Sequence, residues 1–301
     1  MQNESKTNVS TTMKNSCKID RAKLFFLLTI AILLNTFTSS TIVLAQQAIE
    51  EEESSIRSKR VRHIDVKHLA LDLRFNWRKK QAYGTALVTL STLKRSNTIK
   101  LDAAMLEITS IVLKNGPALK FEYDGSDRND NLHIQLDRSY EPSQEITIVI
   151  NYHTNHINET DPNNLWGSYG KGLRFFGPTF TDPRKRKQIW SVGIPESNRY
   201  WFPCYDSPDD FRTTEFTATV DKGLTVVSNG ILVSTKQNSD GTNTFHWKME
   251  QPYANHQTSF VIGEYVDLRE NFNGIEIHNF SYPDEVEAVK ASTVRLTDMI
   301  K

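Results

Sequence analysis

Cysteine is nearly absent from this chain, which has two such residues, Cys17 and Cys204, among 301. Cys17 lies ahead of an apolar N-terminal run, so removal of that run as a leader peptide would leave Cys204 without a partner. An intrachain disulfide is then excluded. Because Cys204 stands between Pro203 and Tyr205, we interpret it as a small buried hydrophobic residue rather than as a nucleophile.

The chain also lacks an excess of either charge, since Lys and Arg number 36 and Asp and Glu number 36. Proteins that bind nucleic acid through its phosphates carry a net basic surface. The balance therefore argues against a nucleic-acid partner, and we expect the local runs of charge to be solvated loops.

Hydrophobic runs fall short of the roughly 20 residues that a membrane-spanning helix needs. Residues 24–34 form an apolar run that follows a basic segment and precedes a stretch rich in Thr and Ser, and Val43-Leu44-Ala45 offers small or apolar residues before a cut. The layout predicts a secretory signal peptide over residues 1–45, and hence export to a secreted, periplasmic or cell-surface location. An uncleaved membrane anchor over residues 24–45 is the alternative, although its Asn, Thr and Ser content weakens it.

Residues 46–62 show no hydrophobic periodicity. Residues 50–53 are acidic, and residues 57–62 are rich in basic side chains. Such a segment buries too little apolar surface to offset the entropy of ordering it, so we predict a disordered charged linker over residues 46–62.

From residue 63 onward, apolar and polar residues alternate as they do in half-buried strands, most clearly over residues 69–77. Further strands are predicted over residues 83–93, 98–101, 106–113, 119–123, 132–136, 145–152, 173–176, 215–220, 224–228, 231–234, 244–249, 257–266 and 274–278. Because these strands are short and separated by turns, without βαβ spacing, they predict an all-β fold of antiparallel sheets, a sandwich or open saddle, over residues 63–284. Residues 285–301 have helical periodicity, which predicts a short C-terminal helix.

Residues 198–208, NRYWFPCYDSP, combine aromatic residues, two prolines and two opposite charges. Pro203 and Pro208 lack amide donors and push the preceding residue out of the helical region, so the segment is predicted to be a rigid, extended corner. Arg199 and Asp206 lie among bulky aromatic residues, where mutual pairing avoids unpaired buried charge. We therefore expect Arg199, Pro203, Asp206 and Pro208 to be structural residues of this corner.

The run NRYWFPCYDSPDDFRTTEFTATVDKGLTVVSNG resembles the N-terminal β-domain of the zinc aminopeptidases typified by aminopeptidase N. Members carry an R-x-x-F-P-C-x-D-x-P corner, then a strand, then an L-T-x-x-S-N-G turn. The resemblance extends more loosely from residue 63 to the C-terminus. It implies a saddle of β-sheets whose partner is a catalytic zinc-peptidase domain, with residues 285–301 corresponding to the start of that domain.

Peptide hydrolysis in the resembled family needs an H-E-x-x-H helix, which holds zinc and places a Glu beside the activated water. The eight His of this chain include no such pair, and the family's G-x-M-E-N strand is absent too. His153 and His156 with Glu159 come nearest to a ligand cluster, and we expect them to be surface residues. We therefore predict no catalytic residue and no metal or cofactor in this chain, although the intact family uses zinc.

Members of the family often carry Q-x-E or Q-G-E just before the corner, where polar side chains hold the free amine of the substrate. Alignment on Arg199 puts Val192 and Ile194 at these positions, and neither can accept a hydrogen bond from an ammonium ion. The resemblance thus implies that these substrate-binding positions are non-functional here. A one-residue misalignment, with Gln188 or Glu196 in the role, is the alternative.

Two functions remain open from the sequence. The chain is expected to be the non-catalytic N-terminal domain of an exported zinc aminopeptidase, cut short before its metal-binding domain and inactive alone. The alternative is a secreted or surface β-sandwich that derives from this domain and acts as a non-enzymatic binding module. We expect the chain to associate with a membrane only if the N-terminal segment stays uncleaved.

Overall fold

Alternation of apolar and polar residues produces sixteen strands in the computed structural model, which describes residues 60–155 and 171–300. The strands are β1 (Ile64–Asn76), β2 (Gln81–Thr92), β3 (Ser96–Leu101), β4 (Leu106–Leu113), β5 (Lys120–Tyr123), β6 (Leu132–Tyr140), β7 (Ile146–Thr154), β8 (Leu173–Phe176), β9 (Gln188–Ser191), β10 (Phe211–Val220), β11 (Thr225–Ser228), β12 (Ile231–Gln237), β13 (Asn243–Ala254), β14 (Phe260–Gly263), β15 (Val266–Phe272) and β16 (Ile275–Ser281). Two short helices follow, α1 (Val286–Thr293) and α2 (Leu296–Ile300). The predicted all-β class is confirmed.

The strands form four sheets. A seven-stranded sheet has the order β12-β13-β10-β1-β2-β7-β4, and a four-stranded sheet has the order β11-β14-β9-β8. A three-stranded sheet, β3-β6-β5, and the hairpin β15-β16 complete the set. Neighbouring strands are antiparallel, as predicted, with one exception: β1 and β10 pair in parallel from His68↔Thr213 to Arg74↔Thr219. The long stretch of chain between them supplies the crossover that a parallel pair requires.

The core lies where alternate residues of the sheets face one another. On β7, Ile146, Ile148, Ile150 and Tyr152 are buried while the residues between them are partly exposed. Side chains of the three- and four-stranded sheets, among them Ile134 on β6, join the same apolar cluster. Each such side chain stabilises the folded state by about 1.5–3 kcal/mol, so the sheets hold one another in place.

Several details differ from the sequence predictions. The corner is not wholly extended, because Asn198–Tyr200 forms one turn of 3-10 helix. The predicted strand over residues 257–266 is interrupted, since a 3-10 turn at Asn255–Gln257 precedes β14 and a break separates β14 from β15. The predicted C-terminal helix is two short helices with no buried residue, and β9 was not predicted.

Two charged segments are more ordered than we predicted. Arg62, the last residue of the predicted linker, donates hydrogen bonds to the Ile64 carbonyl (2.8 Å), the Asp65 carboxylate (2.8 Å) and the Asp210 carboxylate (3.0 Å). In the basic run 184–187, Arg186 pairs with Asp284 at 2.9 Å and Lys187 with Asp221 at 2.6 Å. Arg62 thus ties the chain before β1 to β1 and to the residue before β10, while Arg186 and Lys187 tie their loop to two other loops.

Other predictions fall outside the described residues: the signal peptide and its cleavage after Ala45, the alternative anchor, linker residues 46–59, His156 and Glu159. Within the part of the chain that the structure describes, neither helix has the length and apolar character to cross a bilayer.

The turn between β11 and β12 carries the chain from one sheet to another. Gly230 occupies this turn with φ of +87°, and a Cβ added there would lie 1.9 Å from the Lys248 carbonyl oxygen on β13. Glycine alone adopts this conformation without strain and leaves room for the neighbouring backbone. The S-N-G turn is therefore required where two strands leave for different sheets.

Replacing Gly230 with Ala should lower the free energy of unfolding by about 3 kcal/mol or more, because the new Cβ must displace the β13 backbone. Gly241→Ala is the matched control: its φ is +83°, but an added Cβ meets no atom within 4 Å. That variant should show only the left-handed penalty of about 1–2 kcal/mol. Urea denaturation of both variants measures the difference, and equal losses would contradict the steric argument.

Candidate functional site

Arg199 and Asp206 form a buried ion pair at the centre of the corner, residues 198–208. The Arg199 Nε lies 3.1 Å from Asp206 Oδ2, and the Arg199 backbone N–H donates to the same oxygen at 3.1 Å. Their side chains are 5% and 1% exposed. The pair thus closes the corner on itself, as the opposite charges in the sequence predict.

The remaining guanidinium nitrogens of Arg199 bind two further segments. Nη1 donates to Asn129 Oδ1 at 2.6 Å, and Nη2 donates to Glu196 Oε2 at 2.8 Å. Because the guanidinium is a planar fork, these bonds fix its orientation as well as its position. Arg199 therefore holds together the corner, the turn before it and the loop between β5 and β6.

Asp206 is in turn the meeting point of two other segments. Its backbone N–H donates to Asp102 Oδ2 at 2.6 Å, and Asn255 Nδ2 donates to Asp206 Oδ1 at 2.5 Å. Burial raises the pKa of Asp206 to about 6, although the adjacent Arg199 opposes the shift. Asp102 also accepts from the Asp130 backbone N–H at 2.7 Å, so it links the corner to the same β5–β6 loop.

A second buried ion pair stands directly after the corner. Asp210 Oδ1 accepts from Arg62 at 3.0 Å, and Asp210 Oδ2 lies 3.6 Å from Arg212 Nη1. Burial raises the pKa of Asp210 to about 6 against the influence of both cations. The start of β1 and the start of β10 are thereby joined through one carboxylate.

The apolar residues of the corner are packed around these pairs. Trp201 is fully buried, with its ring centroid 4.3 Å from that of Phe202 and 5.2 Å from that of Phe260. Pro203 is buried, whereas Pro208 is exposed in the turn that follows. Cys204 is buried, as predicted, and burial together with Asp206 and Asp102 raises the pKa of its thiol well above the usual range. A protonated buried thiol is a poor nucleophile.

The two apolar positions of the family anchor lie between β9 and the corner. Val192 follows β9 and is partly exposed, and Ile194 is 64% exposed in the next turn. The alternative candidates both have partners: Gln188 Oε1 accepts from the Tyr282 hydroxyl at 2.7 Å, and Glu196 is bound by Arg199. Val192 and Ile194 are apolar, while Gln188 and Glu196 each have a hydrogen-bond partner within the chain.

The four-stranded sheet has one apolar face and one mixed face, and the mixed face also carries Thr225, Gln188 and Arg174. Its inner row, Val226, Ile262 and Ile189, is fully buried. Adjacent residues of a strand point to opposite sides, so the neighbouring row of Val227, Val261 and Trp190 lies on the other side, where these side chains are partly exposed.

The aromatic end of this second side is built from two strands. Phe176 on β8 stacks on Trp190 on β9 with ring centroids 5.5 Å apart and planes 14° apart. Lys185 Nζ lies 5.1 Å from the Phe176 ring centroid. We call the side defined by Val227, Val261, Trp190 and Phe176 the outer face. An apolar and aromatic sheet face of this kind is suited to packing against another protein surface.

Metal-ligating residues do not converge in the described part of the chain. His153 Nε2 lies 3.1 Å from Glu107 Oε2, a pair that supplies two ligands at most. Among residues 60–155 and 171–300, no group of three or more His, Cys, Asp or Glu side chains is arranged to hold a metal ion.

Sequence reasoning missed Asp102, Asn255 and Asp210 as members of the corner's network. Asp102 had a local signal, because a lone carboxylate between Leu101 and Ala103 interrupts an apolar run. Such a residue must find hydrogen-bond donors when buried. Its partner, however, lies 104 positions away along the chain, beyond the reach of any local pattern.

Comparison with known proteins adds a family-level match. Residues 65–254 match the family described as the Peptidase M1 N-terminal domain. The chain is 31% identical over 133 residues to transcription initiation factor TFIID subunit 2 of Gallus gallus, covering 43% of this chain and 11% of that protein. It is 21% identical over 222 residues to leucine aminopeptidase 2 of Candida glabrata, covering 73% of this chain and 31% of that protein.

Among solved structures, the fold matches an M1 zinc metallopeptidase from Deinococcus radiodurans, solved as a mutant bound to a Tyr-Ser-Ala substrate. The TM-score is 0.55 at 17% identity, over 73% of this chain and 47% of that chain. This likeness shows the fold. The chain thus spans less than half the length of each of these proteins.

Replacing Arg199 with Met should lower the free energy of unfolding by about 3–5 kcal/mol at pH 8, because Asp206 is left as an unpaired buried charge. The loss should be smaller at pH 5. Without the cation the folded-state pKa of Asp206 rises beyond its value of about 6, so at pH 5 the carboxyl takes up a proton and becomes neutral. Urea denaturation at the two pH values measures both effects.

Arg95→Met is the matched control, since Arg95 pairs with Glu141 at 3.2 Å with side chains 71% and 61% exposed. That variant should lose less than about 1 kcal/mol at either pH. A loss for Arg199→Met that is independent of pH would contradict the role given to the Asp206 charge.

Proposed function

This chain belongs to the Peptidase M1 N-terminal domain family, and we propose that its β-domain is a non-catalytic domain that docks against a catalytic zinc-peptidase domain. N-terminal domains of M1 peptidases normally pair with a catalytic domain. In such an assembly the β-domain contributes a rigid surface, while peptide hydrolysis from the N-terminus belongs to the partner domain.

The observation that carries this proposal is the apolar and aromatic patch on the outer face of the four-stranded sheet. A sheet that needs only one buried side normally presents polar residues on the other. Here Val227, Val261 and Trp190 occupy the second side of a sheet whose first side carries the fully buried row Val226, Ile262 and Ile189. Covering them with a second domain removes apolar area from water, which is the main driving force of association.

The rigidity of the corner supports the same proposal. Arg199 binds Glu196 in the turn that follows β9, and β9 carries Trp190 of the outer face. The buried ion pairs therefore fix the edge of the docking surface before a partner arrives. A preorganised surface loses less conformational entropy on binding than a flexible one.

Zinc, in this proposal, is held by the partner domain. The described residues do not fit a zinc site, because His153 and Glu107 are two ligands where a zinc site needs three or four from the protein. We assign no hydrolytic step to this domain. We also propose that it offers no polar anchor for a free amine, because Val192 and Ile194 are apolar and both Gln188 and Glu196 are engaged elsewhere.

A second candidate function is that of a non-enzymatic binding module built on the same domain. Two observations favour it: the apolar residues at Val192 and Ile194, and a relative whose name is that of a transcription initiation factor subunit rather than of a peptidase. In this case the outer face would bind a protein that is not a peptidase.

Export is a further part of the proposal. The apolar run 24–34 between a basic segment and a Val43-Leu44-Ala45 cleavage signal supports a secretory signal peptide over residues 1–45. The protein would then act outside the cytoplasm, either free or, with the segment uncleaved, at a membrane surface.

Val261→Glu should weaken binding to a separately expressed M1 catalytic domain from the same organism by about tenfold or more, because a charge would be buried at the interface. Val233→Glu on β12, where Val233 is 50% exposed, is the matched control and should bind as the unchanged chain does. Analytical ultracentrifugation measures binding, and thermal unfolding checks that both variants fold. Full-strength binding by a folded Val261→Glu variant would contradict docking through the outer face. If the unchanged chain did not bind the catalytic domain at all, the non-enzymatic binding module would be favoured.

Leu28→Arg should abolish export, because a charge in the apolar run prevents its insertion by the secretion machinery. Thr12→Arg, outside that run, should be exported normally. Mass spectrometry of the exported chain should find a mature N-terminus at Gln46. Intact chain in the membrane fraction would instead support the anchor, and intact chain in the cytoplasm would overturn export.

A further inference from the structure

A cavity of about 450 Å³ lies on the solvent side of the three-stranded sheet β3-β6-β5. Its floor is formed by the sheet and its rim by the loop between β5 and β6. The lining residues are Lys100, Glu122, Tyr123, Asp124, Arg128, Asn129, Asp130, Asn131 and His133. The volume falls within the range of sites that bind small molecules.

Three charged or titratable side chains cross the floor in one row. In the strand register, His133 on β6 lies opposite Lys100 on β3 and opposite Glu122 on β5. The Lys100 cation and the Glu122 carboxylate therefore lie on opposite sides of the central strand. With strands about 4.8 Å apart, the backbones of Lys100 and Glu122 are separated by about 10 Å. The cavity therefore has a positive end and a negative end.

These side chains are available to a ligand. On the rim, Arg128 and Asp124 are already engaged with each other. Within the described residues, Lys100, Glu122 and His133 make no side-chain hydrogen bond or ion pair. A ligand with a charge at each end would replace the water around Lys100 and Glu122 with an oppositely charged partner.

The rim is held in place before any ligand binds. Asn131 is buried, accepts from the Ala103 backbone N–H at 3.0 Å and donates to the Ser126 carbonyl at 2.7 Å. The Asp130 backbone N–H binds Asp102 at 2.7 Å, and Asn129 binds Arg199 at 2.6 Å. The loop is therefore anchored to the corner, and the cavity is preformed.

We propose that this cavity binds a small zwitterion, a short peptide or free amino acid, with its carboxylate at Lys100 and its ammonium at Glu122. A polyanion such as a phosphate ester is disfavoured, because Glu122, Asp124 and Asp130 all face the same space. A divalent cation is disfavoured as well, since no three ligating side chains among the described residues are suitably placed and Lys100 repels it. A ligand with both charges matches both ends.

Titration of the full chain with glycylglycine, followed by NMR chemical shifts, tests the proposal. We expect saturable shifts at His133 and in the β5–β6 loop. Glycine, glycylglycine and triglycine compared side by side show whether a single amino acid or a peptide spans the two ends. N-acetylglycylglycine, which lacks the ammonium, and glycylglycinamide, which lacks the carboxylate, should each bind more weakly.

Lys100→Gln and Glu122→Gln should each weaken glycylglycine binding by about threefold or more, as expected for one partly exposed charge contact. The Lys100→Gln loss should vanish when the ligand is glycylglycinamide, because that ligand has no carboxylate to lose. Lys94→Gln and Glu145→Gln, exposed and outside the cavity, are matched controls and should leave binding unchanged. Absence of saturable shifts, or equal shifts with the acetylated ligand, would overturn the proposal.

Discussion

A carboxylate that leaves water must find donors, and the described domain depends on how Asp206 meets this need. The Asp206 carboxylate accepts hydrogen bonds from the Arg199 guanidinium and from the Asn255 side-chain amide. The backbone N–H of Asp206 donates in turn to the Asp102 carboxylate. These partners come from separate parts of the chain. Any one of them can shift only by leaving buried charge or buried donors unsatisfied, which costs more than the loss of a surface ion pair. These bonds fix the shape of the corner, including its one turn of 3-10 helix.

The sequence predicted what depends on local periodicity. β7 buries every second side chain over nine residues, and β1 does so from Leu69 to Leu73, so alternation was sufficient to find both strands. The Arg199–Asp206 pair was predictable because seven positions separate its members. Asp102 and Asn255 were not, since their bonds to Asp206 span 104 and 49 positions. The parallel pairing of β1 with β10 was missed for the same reason, because the register between distant strands leaves no trace in either strand alone.

The residues that stabilise the fold differ from those of the outer face, which we propose to bind a partner. The buried rows and ion pairs account for most of the folding, whereas Val227, Val261 and Trp190 stay partly exposed on the outer face. A surface of this kind can serve a peptidase or another partner while the interior stays the same, since function resides in the site rather than in the fold. The relatives of this chain, named as aminopeptidases and as a transcription initiation factor subunit, are consistent with that separation.

The parallel contact of β1 with β10 also bears on how the chain folds as it leaves the ribosome. β1 can pair with β2 at once, but its other edge is closed only by residues that follow more than 130 positions later. Until then a nascent chain carries an open strand edge in what will be the middle of its largest sheet. Such edges attract other unpaired strands, so we expect slow translation or the absence of a chaperone in this interval to lower the yield of folded protein.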